Sequence, residues 1–163
     1  GFDVPSLIEF NSKNRTIKGC GQGSAISNEK LIGLECDFLI PAALGGVIHK
    51  MNVDELNCKV VVEAANGPVT PTADKKLFEK NIHVVPDILT NAGGVTVSYF
   101  EWVQNLQQLQ WDESEVNEKL EKKMVSAFDE VSILMEQRKT SMRMAAFAVA
   151  IDRVAQAYAL RGI

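Results

Sequence analysis

Short apolar runs, separated by longer mixed segments, set the pattern of the first half of this chain. Residues 38–41, 60–62 and 82–88 are such runs, the last interrupted by Pro86. Runs this short and rich in aliphatic residues are typical of strands that are buried on both faces. The segments between them have the length of crossover helices. The pattern therefore predicts three parallel strands in one sheet.

Helical segments precede, separate and follow the predicted strands. They cover residues 3–10, 27–34, 47–56 and 73–81 before the third strand, and about 92–109, 113–138 and 142–160 after it. The candidate N-caps are Asp3, Ser27 or Asn28, and Thr72. Residues 11–25 are polar and glycine-rich, which indicates a loop. The last helix is apolar nearly all round, so we expect it to be buried against another element.

This alternation indicates an α/β fold in which a partial doubly wound, Rossmann-like sheet precedes C-terminal helices. We expect a single domain over residues 1–163. Doubly wound folds have about six strands, so three strands predict that the others lie before Gly1. The first methionine is Met51, so Gly1 is not expected to be a translated start.

Composition and charge narrow the classes of function. The formal net charge is −4 and the pI is about 5.2, which argues against a nucleic-acid partner because such partners need a basic face. No apolar run is long enough to span a bilayer, and no signal peptide is visible. Cys20, Cys36 and Cys58 are far apart and form no C-x-x-C pair, so we expect no disulfide framework, no zinc site and a reducing compartment. His49 and His83 are isolated, which argues against a metal site.

Small-residue turns follow the predicted strands, at residues 41–46, 63–68 and 91–94. The carboxyl ends of parallel strands meet at one edge, where open sheets bind their ligands, so we expect these turns to lie together. Small side chains let a flat ligand approach the backbone, and the amides of Asn66 and Asn91 suit a ribose hydroxyl or a carboxamide. Turn geometry alone also favours glycine and asparagine. Three such turns at one edge nevertheless favour a ligand site.

The third turn leads into a predicted helix. Asn91 is a candidate N-cap, and spacings of four and then three residues place Val95 and Ser98 on the same helical face. A helix N-terminus favours an anion such as a carboxylate. A cap followed by a serine bonded to its own helix explains the same pattern. The residues alone leave these two interpretations equal.

Two other features receive no functional role. Residues 19–24 resemble a phosphate loop only weakly, because polar residues precede them and Ser24 stands where a glycine or alanine is needed, so we expect an ordinary loop. Glu63 ends an apolar strand, where a carboxylate is usually hydrogen-bonded to backbone.

Segments at these turns are similar to motifs of glutamate dehydrogenases. They are C-D-F-L-I-P-A-A at 36–43, E-A-A-N-G-P at 63–68, P-D-I at 86–88 and N-A-G-G-V-T-V-S-Y-F-E-W at 91–102. On this resemblance, which spans essentially the whole chain, the sequence is identified as a member of the glutamate, leucine, phenylalanine and valine dehydrogenases. It matches the C-terminal part of their nucleotide-binding domain.

The resemblance implies a set of cofactor-binding residues. It places Asn91 beside the nicotinamide of NAD or NADP and Asn66 at the nicotinamide ribose. Ala42 and Ala43 would lie along the cofactor.

The resemblance also implies a substrate and an assembly. Ser98 would help to bind the side-chain carboxylate of glutamate, and Val95 would line the same pocket. The implied reaction is the reversible oxidative deamination of L-glutamate to 2-oxoglutarate and ammonia, in a homo-hexamer of the mitochondrion or cytoplasm. The family's substrate-binding lysines, catalytic aspartate and pyrophosphate turn have no counterpart here. We therefore expect no catalytic residue and no metal ligand in this chain, and no activity from it alone.

Two alternatives remain open. Leucine- and phenylalanine-type dehydrogenases share the N-A-G-G turn, although Ser98 and Trp102 of the V-S-x-F-E-W continuation weigh against them. A truncated, non-catalytic homologue is the other.

Overall fold

The structure is a computed structural model that describes residues 1–162, in two compact units. The first unit is Gly1–Leu34, and the second begins at Glu35. Among residues 1–162, no helix combines the length and the apolar character that crossing a membrane requires. The expectation of one domain over residues 1–163 stays a prediction.

The first unit contains two helices. Helix α1 spans Val4–Asn14 and α2 spans Asn28–Ile32. Ser27 is the cap of α2, because its hydroxyl accepts the backbone N–H of Lys30 at 3.3 Å. Asp3 precedes α1 as predicted, but its carboxylate accepts the hydroxyl of Ser6 and no backbone N–H. The loop prediction for residues 11–25 was wrong at its start, since α1 continues to Asn14, and residues 19–24 are an ordinary loop as expected.

A parallel three-stranded sheet forms the centre of the second unit, which confirms the predicted fold class. Strands β1 (Cys36–Leu39), β2 (Cys58–Val62) and β3 (His83–Val85) pair in the order β1-β2-β3. Helix α3 (Pro71–Glu79) connects β2 to β3 and packs against β3. Val61 on the central strand and Leu77 on α3 are fully buried.

The prediction that the first strand is fully buried was wrong. Phe38 is 63% exposed and Ile40 is 57% exposed. Strand β1 lies at the edge of this sheet, paired only with β2, so no second neighbour covers its outer side within the described residues. An apolar run shows that its side chains need cover, but not which part of a protein supplies that cover.

The predicted helix over residues 47–56 was also wrong. Only Val53–Glu55 forms a short 3-10 turn, and Ile48 instead makes an isolated parallel bridge with Val69. The side chain of Asn52 explains the difference. It accepts the N–H of His49 at 2.8 Å and donates to the carbonyl of Val47 at 2.8 Å, which satisfies locally the groups that a helix would use.

Two boundaries around the third strand differ from the prediction. The N-cap of α3 is Thr70 rather than Thr72, with Pro71 in the first turn of the helix, where a missing N–H costs nothing. The strand itself ends at Val85, and Pro86 is the N-cap residue of a short helix, α4 (Asp87–Thr90), which includes the end of the predicted run.

Three long helices complete the chain close to the predicted bounds. They are α5 (Ala92–Gln107), α6 (Glu113–Arg138) and α7 (Met142–Arg161). Ala145 and Ala146 of α7 are buried in a cluster with Leu89 and Val131. The predicted burial of the last helix holds only for its first half, because every residue of 151–162 is exposed.

Candidate functional site

Backbone hydrogen bonds join the first two small-residue turns at the carboxyl edge of the sheet. The N–H of Gly46 donates to the carbonyl of Gly67 at 2.8 Å, and the N–H of Ala65 donates to the carbonyl of Pro41 at 2.9 Å. A Cβ added at Gly45 would lie 3.0 Å from the carbonyl oxygen of Asn66, so the turns approach too closely for a side chain there. Ala42 and Ala43, in the first turn, are both exposed.

Two asparagine side chains join the second turn to the third. The amide Nδ2 of Asn91 donates to Oδ1 of Asn66 at 2.7 Å and lies 3.5 Å from the carbonyl of Ala64. The structure thus brings all three predicted turns together. Asn91 precedes α5 as its N-cap residue, but its side chain makes no capping hydrogen bond, so the predicted side-chain cap was wrong. The side-chain amide of Asn91 instead links the third turn to the second.

The glycines of the third turn have no conformational reason to be glycine. Gly46 and Gly67, in the first two turns, have φ of 68° and 55°, a region that favours glycine. Gly93 and Gly94 lie in α5 and are not among the positive-φ residues. A Cβ at Gly94 would meet no atom within 4 Å, and one at Gly93 would make ordinary contact with Leu120 at 3.8 Å. Among the described residues, no backbone conformation and no close packing therefore requires glycine at either position.

The face of α5 predicted to bind substrate is open. Val95 is 70% exposed, and Ser98 is exposed. Within residues 1–162 the hydroxyl of Ser98 takes part in no hydrogen bond, whereas the hydroxyl of Thr96 donates to the carbonyl of Ala92 at 2.8 Å. A hydroxyl bonded to its own helix, the alternative interpretation of this pattern, is therefore found at Thr96 and not at Ser98.

A buried ion network, which sequence reasoning missed, supports these turns. Glu63 ends β2 with an exposed fraction of 0%, and its Oε1 lies 2.7 Å from Nη2 of Arg143 on α7. Arg143 also contacts Asp74 at 3.0 Å and Asp87 at 3.4 Å. Burial lowers the pKa of Arg143, but hydrogen bonding and charge contacts with Glu63 and Asp74 outweigh it, so the pKa lies above its usual value.

The carboxylates of this network hold backbone groups of the turns. Oδ2 of Asp87 accepts the N–H of Gly67 at 2.7 Å, next to Asn66. Glu63 accepts the N–H of Val69 at 3.2 Å and that of Asp87 at 2.8 Å. A signal was present in the sequence, since a carboxylate ending an apolar strand needs a counter-charge when buried. The position of that arginine, 80 residues away, was not readable.

A mostly apolar cavity lies away from this edge. It has a volume of about 320 Å³, and its apolar lining includes Phe78, Ile82, Val85, Phe128, Met135 and Met142. Its carboxylate, Asp74, is already paired with Arg143, and Ser141 caps α7. Its lining is mostly apolar, and none of the predicted site residues lies in it, so the three turns remain the candidate site.

Comparison with known proteins identifies the family of the chain. The model of the family Glutamate/Leucine/Phenylalanine/Valine dehydrogenase matches residues 1–162. The chain belongs to this family.

Relatives within this dehydrogenase family are closely similar. The chain is 52% identical over 163 residues to a glutamate dehydrogenase of Thermotoga maritima, covering 100% of this chain and 39% of the relative. It is 46% identical over 162 residues to an NAD-specific glutamate dehydrogenase of Staphylococcus aureus, covering 99% of this chain and 39% of the relative. The chain thus spans 39% of the length of these relatives.

Solved structures of the family have the same fold. The glutamate dehydrogenase of Peptoniphilus asaccharolyticus matches with a TM-score of 0.81 and 39% identity, over 99% of this chain and 36% of that one. The hetero-hexameric glutamate dehydrogenase of Thermus thermophilus, in a Leu-bound form, matches with a TM-score of 0.89 and 32% identity, over 100% of this chain and 38% of that one.

Proposed function

We propose that this chain forms the nicotinamide side of the active site in an NAD(P)-dependent amino-acid dehydrogenase acting on L-glutamate. The reaction is the reversible oxidative deamination to 2-oxoglutarate and ammonia. The relatives at 52% and 46% identity are named glutamate dehydrogenases. Of the observations on this chain, the open helix start at Gly93 and Gly94 carries the proposal, because it leaves room for a ligand where the fold itself needs no glycine.

The amide pair is suited to a carboxamide. In the bond between them, Asn91 donates through Nδ2 and Asn66 accepts through Oδ1. The Oδ1 acceptor of Asn91 and the Nδ2 donors of Asn66 therefore remain free to bind a ligand. A nicotinamide carboxamide carries one acceptor and one donor group, so the free atoms complement it. Ala42 and Ala43 are small and exposed, which lets the flat part of NAD or NADP approach the first turn.

Ser98 and Val95 supply the substrate part of the proposal. The Ser98 hydroxyl is free of its own helix and exposed in the second turn of α5. A hydroxyl there can donate to the distal carboxylate of glutamate. Val95 offers an apolar surface beside it for the methylene groups of the substrate.

The chemistry of these residues is orientation rather than proton transfer. The nicotinamide, when bound, accepts the hydride from the substrate's α-carbon. The Asn66 and Asn91 amides and the Ser98 hydroxyl do not titrate near neutral pH, so they cannot act as general acid or base. We therefore expect the chain alone to show no turnover of 2-oxoglutarate, ammonia and reduced cofactor. Turnover comparable to that of an intact relative would contradict this assignment.

A chimera tests the proposal. The 163 residues replace the matching segment of the Thermotoga maritima enzyme, to which they are 52% identical. Nicotinamide absorbance then follows reductive amination of 2-oxoglutarate, and leucine and phenylalanine are tested as oxidation substrates. Preference for glutamate supports the proposal. Preference for an apolar amino acid favours the leucine- or phenylalanine-type alternative, and a folded, inactive chimera favours the non-catalytic one.

Ser98→Ala in that chimera tests the substrate contact. A hydrogen bond to a charged group is worth about 1.5–3 kcal/mol, so kcat/KM for glutamate should fall roughly ten- to a hundredfold. Norvaline has no distal carboxylate, and its kcat/KM should change little. Thr96→Ala is the matched control, because its hydroxyl is bonded to Ala92. Equal losses for glutamate and norvaline would show that Ser98 only supports the helix or the cofactor.

The proposal includes a homo-oligomer, a hexamer by analogy with the family. The Thermus thermophilus relative is described as hetero-hexameric. The exposed apolar side chains of α7, including Ile151 and Val154, support an assembly because such surfaces are usually covered. Light scattering of the active chimera measures the subunit number.

A further inference from the structure

Asp87 holds the backbone beside each asparagine of the amide pair, Asn66 and Asn91. Its side-chain Oδ2 accepts the N–H of Gly67, the residue after Asn66, at 2.7 Å. Its backbone carbonyl accepts the N–H of Asn91 at 3.0 Å. One residue therefore fixes the chain on both sides of the hydrogen bond that joins Nδ2 of Asn91 to Oδ1 of Asn66.

The carboxylate of Asp87 is itself fixed in place. The backbone N–H of Asp87 donates to Oε2 of the buried Glu63 at 2.8 Å. Its Oδ1 accepts the N–H of Ile88 at 2.8 Å and lies 3.4 Å from Nη1 of Arg143. A carboxylate with both oxygens engaged has little freedom to turn, so it can set the position of Gly67 instead of following it.

The second turn depends on such support because of the conformation of Gly67. Its φ is 55°, and glycine adopts positive and negative φ about equally readily, so the residue does not choose this conformation by itself. Its carbonyl accepts the N–H of Gly46 at 2.8 Å, and its N–H donates to Asp87. The direction of the neighbouring Asn66 side chain therefore depends on these two hydrogen bonds.

We propose that Asp87 is a positioning residue for recognition of the nicotinamide carboxamide. The inference rests on the proposed function, in which the amide pair binds that group. Asp87 holds Asn66 through Gly67, and Asn66 engages Nδ2 of Asn91, which leaves Oδ1 of Asn91 as the acceptor for the ligand. Discrimination in favour of a carboxamide NH2 thus depends on a carboxylate that acts through the turn and not by touching the cofactor.

The test compares two cofactors that differ only at the carboxamide. In the 3-acetylpyridine analogue a methyl group replaces the NH2, so the carbonyl acceptor is kept and the donor is lost. Calorimetry measures the dissociation constant of each cofactor with the chimera described above. The lost neutral hydrogen bond should make the natural cofactor bind roughly three- to tenfold more tightly than the analogue. Any other difference between the cofactors cancels when variants are compared with the wild type.

Asp87→Asn should abolish this preference. If its remaining oxygen stays with Ile88 and Arg143, its Nδ2 faces the N–H of Gly67, and two donors cannot bond. The reverse orientation would place Nδ2 against both Ile88 and the arginine, which is worse. Asp87→Ala removes the acceptor whatever the orientation, so it should give the same result.

Asp74→Asn is the matched control. Asp74 contacts the same guanidinium at 3.0 Å, but within residues 1–162 its carboxylate accepts no N–H of the three turns. The substitution should lower the urea midpoint and leave the cofactor preference as in the wild type. Loss of stability is thereby separated from loss of positioning.

Asn91→Ala distinguishes failure of this inference from failure of the proposed function. If Asn91→Ala loses the preference while Asp87→Asn and Asp87→Ala keep it, the amide pair binds the carboxamide but Asp87 does not position it. Equal loss of the preference in Asp74→Asn would also overturn the positioning role, because any weakening of the network would then suffice. A wild-type chimera without the preference, or Asn91→Ala with it, would overturn the carboxamide assignment and the role of Asp87 together.

Discussion

Both halves of α7, residues 142–150 and residues 151–161, are rich in apolar side chains, but their surroundings differ. In the first half, Ala145 and Ala146 are buried and Arg143 joins a buried ion network, with an exposed fraction of 16%. In the second half, Ile151 and Val154 are exposed and Arg153 pairs with Glu130 at the surface. An apolar sequence therefore marks a surface that needs a partner, and only the first half has one among the described residues.

The largest expected difference between the halves concerns their arginines. Arg143→Met leaves the buried carboxylate of Glu63 without its partner, and breaking such a pair costs about 3–5 kcal/mol. Arg153→Met breaks an exposed pair, which is worth about 0–1 kcal/mol. Urea titration measures both free energies of unfolding. Because the pKa of Arg143 is raised above its usual value, its charge is fully present below that value and is lost only as the pH rises beyond it.

The contrast between the arginines should therefore persist in mildly alkaline buffer. It should also depend little on salt for Arg143, since a buried pair is poorly screened. Equal costs for the two variants would mean that the network is open to water in solution.

A second difference concerns packing space. Ala146 is in contact with a cluster that includes Leu89 and Val131, so Ala146→Leu inserts methylene groups into a filled region. Overpacking of this kind costs about 1–3 kcal/mol. Ala157→Leu on the exposed half is the control and should change the urea midpoint little. A neutral Ala146→Leu would contradict the close packing of the first half.

The sequence predicted those parts of the fold that follow from local pattern. The three strands, their parallel arrangement and the long helices came from the length and periodicity of apolar runs. The burial of these elements did not follow from the pattern, because Phe38 of β1 and the apolar side chains in the second half of α7 are exposed. The segment 47–56 failed for a local reason, since Asn52 satisfies two neighbouring backbone groups by itself.

The site was predictable to the level of topology. Parallel strands bring their carboxyl ends to one edge, so the meeting of the three turns followed from the order of elements. The use of the Asn91 amide did not follow, because its choice between capping α5 and bonding Asn66 depends on a residue 25 positions away. The pairing of Glu63 with Arg143 likewise depends on three-dimensional register rather than on local pattern.

A smaller difference should appear at the two ends of α7. The Ser141 hydroxyl accepts the N–H of Met144 at 3.3 Å, and loss of an N-cap typically costs about 1 kcal/mol. Ser141→Ala should therefore lower the global free energy of unfolding, because the first half of α7 is part of the folded core. Gly162→Ala strains a residue with φ of 72°, but the exposed end can fray without unfolding the rest. Hydrogen exchange should locate its effect in the last turns alone; a global loss in Gly162→Ala would contradict this.

The smallest stability effect is expected where the apolar surface is most exposed. Ile151 is 65% exposed, and the double variant Ile151→Ser, Val154→Ser removes little packed surface, so its free energy of unfolding should change by about 0.5 kcal/mol or less. Val149→Ser, on the packed half, is the control and should be clearly destabilising. The exposed apolar surface that includes Ile151 and Val154 should instead promote self-association of the chain, because exposed apolar patches favour association. Light scattering against concentration should therefore show less association for the double variant than for the wild type.

A double variant that unfolds as easily as Val149→Ser would mean that the second half of α7 is packed in solution. Unchanged association would place the self-associating surface elsewhere, and the exposed Phe38 of β1 and the neighbouring Ile40 would be the next residues to substitute.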